Sequence, residues 1–206
     1  RKGLGWTYFK KGWPRLALEQ FRNLNQFSSS WDEPYLGLGY SHLALGDFKR
    51  AEDAFQNYLK NTDSASGTKK PHEGERGLGE LYATQGEFAK SIPLLERALK
   101  GKPNWIDAEQ LLAWSYLKTG KTSEARDLFV KIQTARPIDT EAGLAWIALE
   151  ADRFDEAEAG FAKALALLPA HAAALEGSAL LRQRRYKTFD AAWGLYYAGK
   201  YKEAAD

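Results

Sequence analysis

Residues 38–55, LGYSHLALGDFKRAEDAF, decide the fold. Leu38, His42 and Leu45 fall at helical spacing before Gly46-Asp47-Phe48, and Ala51, Ala54, Phe55 and Tyr58 fall at helical spacing after it. Such spacing gives each segment one apolar face, and the Gly-x-aromatic break turns the chain between them. The expected unit is a helix, a tight turn and an antiparallel helix. Neither helix can bury its apolar face alone, so the unit needs neighbours of its own kind.

Those neighbours are in the chain. Leu4-Gly5-Trp6, Tyr8, Gly12, Ala17 and Phe21 match Leu38-Gly39-Tyr40, His42, Gly46, Ala51 and Phe55 at a constant shift of 34. A third copy runs Leu78-Gly79-Glu80, Tyr82, Gly86, Ser91, Leu95, Ala98, Pro103, and a fourth Leu112-Ala113-Trp114, Tyr116, Gly120, Ala125, Phe129, Pro137. The fifth is Leu144-Ala145-Trp146, Ala148, Asp152, Ala157, Phe161, Ala164, Pro169, and the leucines are spaced 34, 40, 34 and 32 residues apart. A period of this size marks a stacked repeat architecture. The small residues Ala17, Ala51, Ala125 and Ala157 are expected where two helices approach closely, with Phe21, Phe55, Phe129 and Phe161 filling the space between successive pairs.

With Leu-Gly/Ala, an aromatic, a turn glycine, a small alanine, a phenylalanine and a closing proline in register, the chain resembles the tetratricopeptide-repeat (TPR) family over nearly its whole length. The resemblance implies an all-α fold, a right-handed α-solenoid of about six antiparallel helix pairs, forming a single TPR-like domain over residues 1–206. It also implies first helices that line the concave surface.

Three places depart from the pattern. A six-residue insertion around residues 64–71 has the composition of an exposed loop, and Pro93 is placed early in a second helix, where its missing N–H costs little. Beyond Pro169, Leu175-Glu176-Gly177, Leu180 and Arg184-Arg185-Tyr186 read as a worn sixth first helix with Arg184 at its turn. Ala192-Trp193, Leu195, Gly199, Tyr201 and Ala204 then read as a seventh start, only 15 residues separate Arg184 from Gly199, and about one helix is expected to be absent near 187–189. The atypical repeat therefore lies near 170–190. A start at Arg1, a stop inside an expected second helix and the lack of any Met read as a fragment of a longer array, whose cut ends leave self-association open.

Composition excludes several functions. The 206 residues are 44% hydrophobic and 27% charged, which argues against disorder, and 29 Lys plus Arg against 27 Asp plus Glu argue against a nucleic-acid binder. Without cysteine there is no disulfide framework, thiolate metal site or cysteine nucleophile, and the compartment stays open between cytoplasm and bacterial periplasm. The longest uncharged stretch, near 159–175, is broken by Lys163 and Pro169, short of the roughly 20 apolar residues of a membrane span. His42, His72 and His171 stand alone, so no metal site is expected, and His42 takes a core register. Gly3-Leu4-Gly5 and Gly37-Leu38-Gly39 follow no strand and recur with the repeat, against a dinucleotide loop; no nucleophile motif is present, and Glu156 and Glu158 read as surface charge. No catalytic residue and no cofactor is expected.

One register stands out. The residue after Leu-Gly/Ala, which the resemblance aims into the groove, is Trp6, Tyr40, Glu80, Trp114, Trp146 and, in the last copy, Trp193. Phe9 and Lys10, Leu117 and Lys118, and Tyr196 and Tyr197 share that face, as does Arg76. The expected partner-binding groove is Trp6, Phe9, Tyr40, Arg76, Trp114, Lys118, Trp146, Trp193 and Tyr197. Gly3, Gly37, Gly77 and Gly143 precede the leucine, and since a helical Gly costs about 1 kcal/mol relative to Ala, they are expected to form a groove floor open to a ligand backbone or to the Trp rings. The alternative for the stripe is that its rings pack on one another or on adjacent helices.

The expected function is a non-enzymatic scaffold holding a partner peptide or helix on aromatic anchors. A second reading is a polysaccharide-guiding module like the TPR segments of bacterial envelope export systems, with sugars stacked on the ladder; few groove-facing Asp, Asn or Gln support it. The inward cations Lys2, Lys10, Arg76 and Lys118 are scattered and lack the Asn register of a carboxylate clamp, which disfavours chaperone tails. Trp13, Trp31 and Trp105 are expected to cover the ends of the core.

Overall fold

A computed structural model describes residues 2–27, 33–62 and 70–200, with side chains at 3–25, 34–60 and 70–200. Trp31, most of the inserted loop, and Tyr201 and Ala204 lie outside these residues. Eleven helices and no strand occur among the described residues. They group into two units, Arg1–Gly120 and Lys121–Asp206. The first holds α1 (Lys2–Lys10), α2 (Pro14–Phe27), α3 (Glu33–Ala44), α4 (Phe48–Thr62), α5 (Pro71–Thr84), α6 (Phe88–Gly101) and α7 (Ile106–Lys118). The second holds α8 (Thr122–Ile132), α9 (Pro137–Glu150), α10 (Phe154–Leu167) and α11 (Ala172–Tyr197).

The turns depend on one residue type. Gly12, Gly46, Gly86, Gly120 and Gly199 all have φ between +74° and +78°, the left-handed region in which a Cβ is costly. At Gly46 the next amide, Asp47 N, donates to His42 O at 3.0 Å while Gly46 N donates to Leu43 O at 3.0 Å, closing the first helix and releasing the chain into α4. The same pair of bonds recurs at Gly12, Gly86 and Gly199, and at Asp152, which adopts φ +54° where the other copies have glycine.

Within the first unit α1 meets α3, α3 meets α5 and α5 meets α7, whereas among the described residues no backbone approach within 8 Å between Cα atoms joins α2 to α4 or α4 to α6. The first helices therefore form the tighter layer. Between layers sit Phe21, Phe55 and Leu95, with Ala17, Ala51 and Ser91 beside them, all fully buried. Burying each large side chain contributes about 1.5–3 kcal/mol. Ser91, in the alanine register, donates its hydroxyl to Gly79 O at 2.7 Å, so its polar atom is satisfied. Successive repeats are also tied by hydroxyls: Tyr82 donates to Glu52 and Tyr116 to Glu96, each at 2.7 Å. In the second unit Phe129 and Phe161 play the same part, and Thr140 donates to Phe129 O at 2.9 Å.

The glycines before the leucine are not a groove floor. A Cβ on Gly37 would lie 2.4 Å from the Phe21 ring, one on Gly77 2.4 Å from Phe55, one on Gly143 2.4 Å from Phe129 and one on Gly177 2.2 Å from Phe161. They face the phenylalanine of the preceding repeat, and Gly5 and Gly39 pack against Phe21 and Phe55 of their own repeats. In this register only Gly3 has nothing described within 4 Å.

Two further expectations are corrected. Pro93 lies inside α6, five residues past its first residue Phe88, so Ala89 O loses a helical donor there. There is no turn at Arg184: α11 runs unbroken for 26 residues, about 39 Å, because no Gly, Asn or Pro between 178 and 193 offers a left-handed stop. Arg184 instead reaches back to the end of α9, where its Nη1 donates to Leu149 O at 2.9 Å and its Nη2 to Glu150 at 3.2 Å. A cation is favourable at that C-terminal end of the helix. Arg185 pairs with Asp155 and Glu158 of α10, so the two arginines hold the middle of α11 in place.

The phenylalanine socket predicts opposite signs for one substitution at two helical glycines of the second unit. Gly143→Ala forces the Phe129 ring to move and should destabilise by about 1–3 kcal/mol. Gly194→Ala, with nothing described within 4 Å of the new methyl, should stabilise by about 1 kcal/mol. Urea unfolding monitored by circular dichroism checks both.

Candidate partner-binding surface

In the first unit the structure gathers four of the expected residues. Trp6 and Phe9, a turn apart on α1, have ring centroids 5.9 Å apart, and both face Tyr40 of α3, at 6.2 and 6.1 Å. Trp6 and Phe9 stay half-buried; Tyr40 is only 8% exposed and its ring lies on Phe55 at 5.0 Å. Arg76 of α5 reaches across, its Nη1 donating to the Tyr40 hydroxyl at 2.8 Å and its guanidinium lying 5.5 Å from the Tyr40 ring. Its other amino group lies 3.1 Å from Glu80, one turn on.

Trp105 completes this cluster. It precedes α7, turned inward after Asn104 at φ +58°, and its ring lies 5.2 Å from the Arg76 guanidinium, 4.2 Å from Lys102 Nζ and edge-on to His72. Such cation–aromatic contacts contribute about 0.5–2 kcal/mol each. The sequence pattern puts Trp105 at an end of the core; the signal for its actual place is Pro103-Asn104, a pair that redirects the chain into the next first helix.

Electrostatically the cluster is short of partners. Among the described residues Arg76 Nε is buried with no hydrogen-bond partner, and Glu80 Oε2 is buried with an ion pair but no hydrogen bond. Burial pushes the Glu80 carboxyl above its ordinary value of 4.5; Arg76 pulls it down and Asp107 raises it, and burial prevails. Burial likewise pushes the Tyr40 hydroxyl far up despite Arg76, so it remains a neutral donor and acceptor.

The remaining expected residues are distributed differently. Trp114, half-buried, and Lys118, exposed, sit one turn apart on α7. In the second unit Trp146 is 6% exposed, its ring 5.9 Å from Phe161 and its Nε1 donating to Ala173 O of α11 at 2.9 Å. Trp193 and Tyr197 are exposed near the end of α11. His42 is buried, 3.5 Å from Asp47, and burial lowers its pKa.

Two tetratricopeptide-repeat family models match residues 36–104 and 82–146, together more than half the chain. The chain belongs to the tetratricopeptide-repeat family. No curated protein sequence matches it. Among solved structures it is similar to YrrB, described as a TPR protein with an unusual peptide-binding site, at 19% identity and TM-score 0.64, covering 85% of this chain and 89% of that one. It is also similar to a TPR protein from Parabacteroides merdae, at 17% identity and TM-score 0.69 over 95% of this chain and 77% of that one. A third is TTC0263 from Thermus thermophilus, at 20% identity and TM-score 0.62 over 87% and 94%. At these identities the likeness is one of fold: an all-α solenoid of TPR helix pairs, the architecture of protein-interaction scaffolds.

The raised Glu80 pKa has a consequence for stability. Folding favours the protonated acid, so the contribution is fully present below pH 4.5 and is lost as pH rises through the raised folded value. Glu80→Gln should therefore gain stability relative to wild type on going from pH 4 to pH 7. Paired urea titrations of both proteins at the two pH values check it, and a difference independent of pH contradicts the assignment.

Proposed function

We propose that this TPR chain is a non-enzymatic scaffold whose first unit holds a peptide or helix of a partner protein against the inner face of α1, α3, α5 and α7. The observation that carries the reading is the contiguous set Trp6, Phe9, Tyr40, Arg76 and Trp105, in which two rings remain half-exposed over a buried aromatic base. Aromatic side chains beside an Arg supply large contact area at small rotamer cost, which is the composition of interface hot spots. An apolar side chain of the partner fits the Trp6–Phe9 face, which Arg76 holds in place from behind through Tyr40. The peptide-binding site named for YrrB supports the same use of this fold. Trp114 and Lys118 extend the surface along α7.

The burial of Tyr40 and Trp146 favours a peptide over a polysaccharide, because it takes two rungs out of any ladder on which sugar rings would stack. Selection from a random peptide library, with titration of the recovered peptides, tests the proposal. Trp6→Ala, Trp105→Ala and Trp114→Ala should each weaken binding by about 2 kcal/mol. Trp146→Ala should instead lower stability by about 3–5 kcal/mol, as befits a buried ring. Peptides that bind all three variants like the wild type would remove the surface from consideration.

A further inference from the structure

The second half of α11 carries a different kind of surface. Tyr186, Phe189, Trp193, Tyr196 and Tyr197 are 71%, 61%, 42%, 51% and 81% exposed. The first four are spaced 3, 4 and 3 residues apart in the order 186, 189, 193, 196, which is the seam of a helix that pairs with another helix. The rings are ordered by one another: Phe189 and Tyr196 meet Trp193 edge-on at 5.8 and 5.5 Å, and Tyr197 stacks on it at 5.5 Å. A shallow apolar hollow opens between Phe189, Ala192, Trp193 and Tyr196. These are positions i, i+3, i+4 and i+7, the four residues that form the hole for a knob in helix–helix packing.

We propose that this face binds a second copy of the chain, α11 against α11, in an isologous pair. Hole and knobs lie on the same seam, so one surface supplies both halves of the contact, as a two-fold interface requires. The five residues expose on the order of 700 Å², at about 250 Å² for a fully exposed aromatic residue, against the ~800 Å² per partner of a stable standard interface. Arg185 is already committed to Asp155 and Glu158 within its own chain.

Sedimentation equilibrium of the whole chain tests this. The wild type should be dimeric by ~100 μM. Trp193→Glu and Phe189→Glu, each at an exposed position, should keep the helix content of the wild type, and its melting temperature when both are dilute enough to be monomeric, and raise the dimer dissociation constant by ~30-fold or more. Either variant serves if the other fails to fold. A wild type that stays monomeric would assign the face to another occupant, a further repeat or a foreign helix, and would overturn the proposal. A dimer unaffected by both substitutions would do the same. Peptide binding by the first unit is independent of either outcome.

Discussion

The structure depends on a phenylalanine held between two glycines. Phe21 fills the space that Gly5 and Gly37 leave empty, and Phe55 the space left by Gly39 and Gly77. Each glycine gives up helix propensity, about 1 kcal/mol relative to Ala, so that a ring can sit directly on the backbone of two first helices at once. The ring belongs to a second helix, and its sockets belong to the first helices of its own repeat and of the next. One contact thereby fixes the pair internally and fixes its stacking on the next pair. Changes of period, such as the 40- and 32-residue spacings, are therefore tolerated only where the ring and its glycines keep their places.

Where the socket changes, the repeat changes with it. Leu95 replaces the ring in the third copy and packs against Gly79, while Leu111 rather than glycine precedes the next Leu-Ala pair. The same copy carries Ser91 in place of the small alanine and Pro93 within α6. A smaller branched plug, a hydroxyl answered by Gly79 O and a lost helical hydrogen bond occur together, and the Arg76–Glu80–Trp105 cluster lies on the first-helix side of this copy. The polar cluster and the departures from the pattern share one repeat.

The helix pairs, their turns and the buried Ala and Phe registers were legible because each rests on local chemistry: a 3.6-residue period, or a glycine that alone tolerates φ near +75°. Three matters were not legible, each for a non-local reason. The glycines before the leucine looked like a groove floor because sequence does not show which neighbour occupies the space beside them. Arg184 looked like a turn because the repeat period put one there, whereas its guanidinium caps Leu149 and Glu150 of α9 and the backbone beside it has no reason to stop. Trp105 looked like a cover for the core end, and its place depends on Asn104 adopting a left-handed conformation that Asn merely permits.

The aromatic register after Leu-Gly/Ala shows how one sequence position acquires different roles. Tyr40 is buried because Arg76 of the next first helix closes over it, and Trp146 because Ala173 of α11 accepts its indole N–H. On α11 the equivalent place, three residues past the socket glycine Gly177, is Leu180; Trp193 lies thirteen residues further along the same helix and is exposed with its neighbours Phe189, Tyr196 and Tyr197. Trp6 and Trp114 hold the register too and stay half-buried, so a ring at this position becomes core only where a neighbouring group closes over it, as Arg76 does at Tyr40 and the start of α11 does at Trp146, and otherwise remains surface.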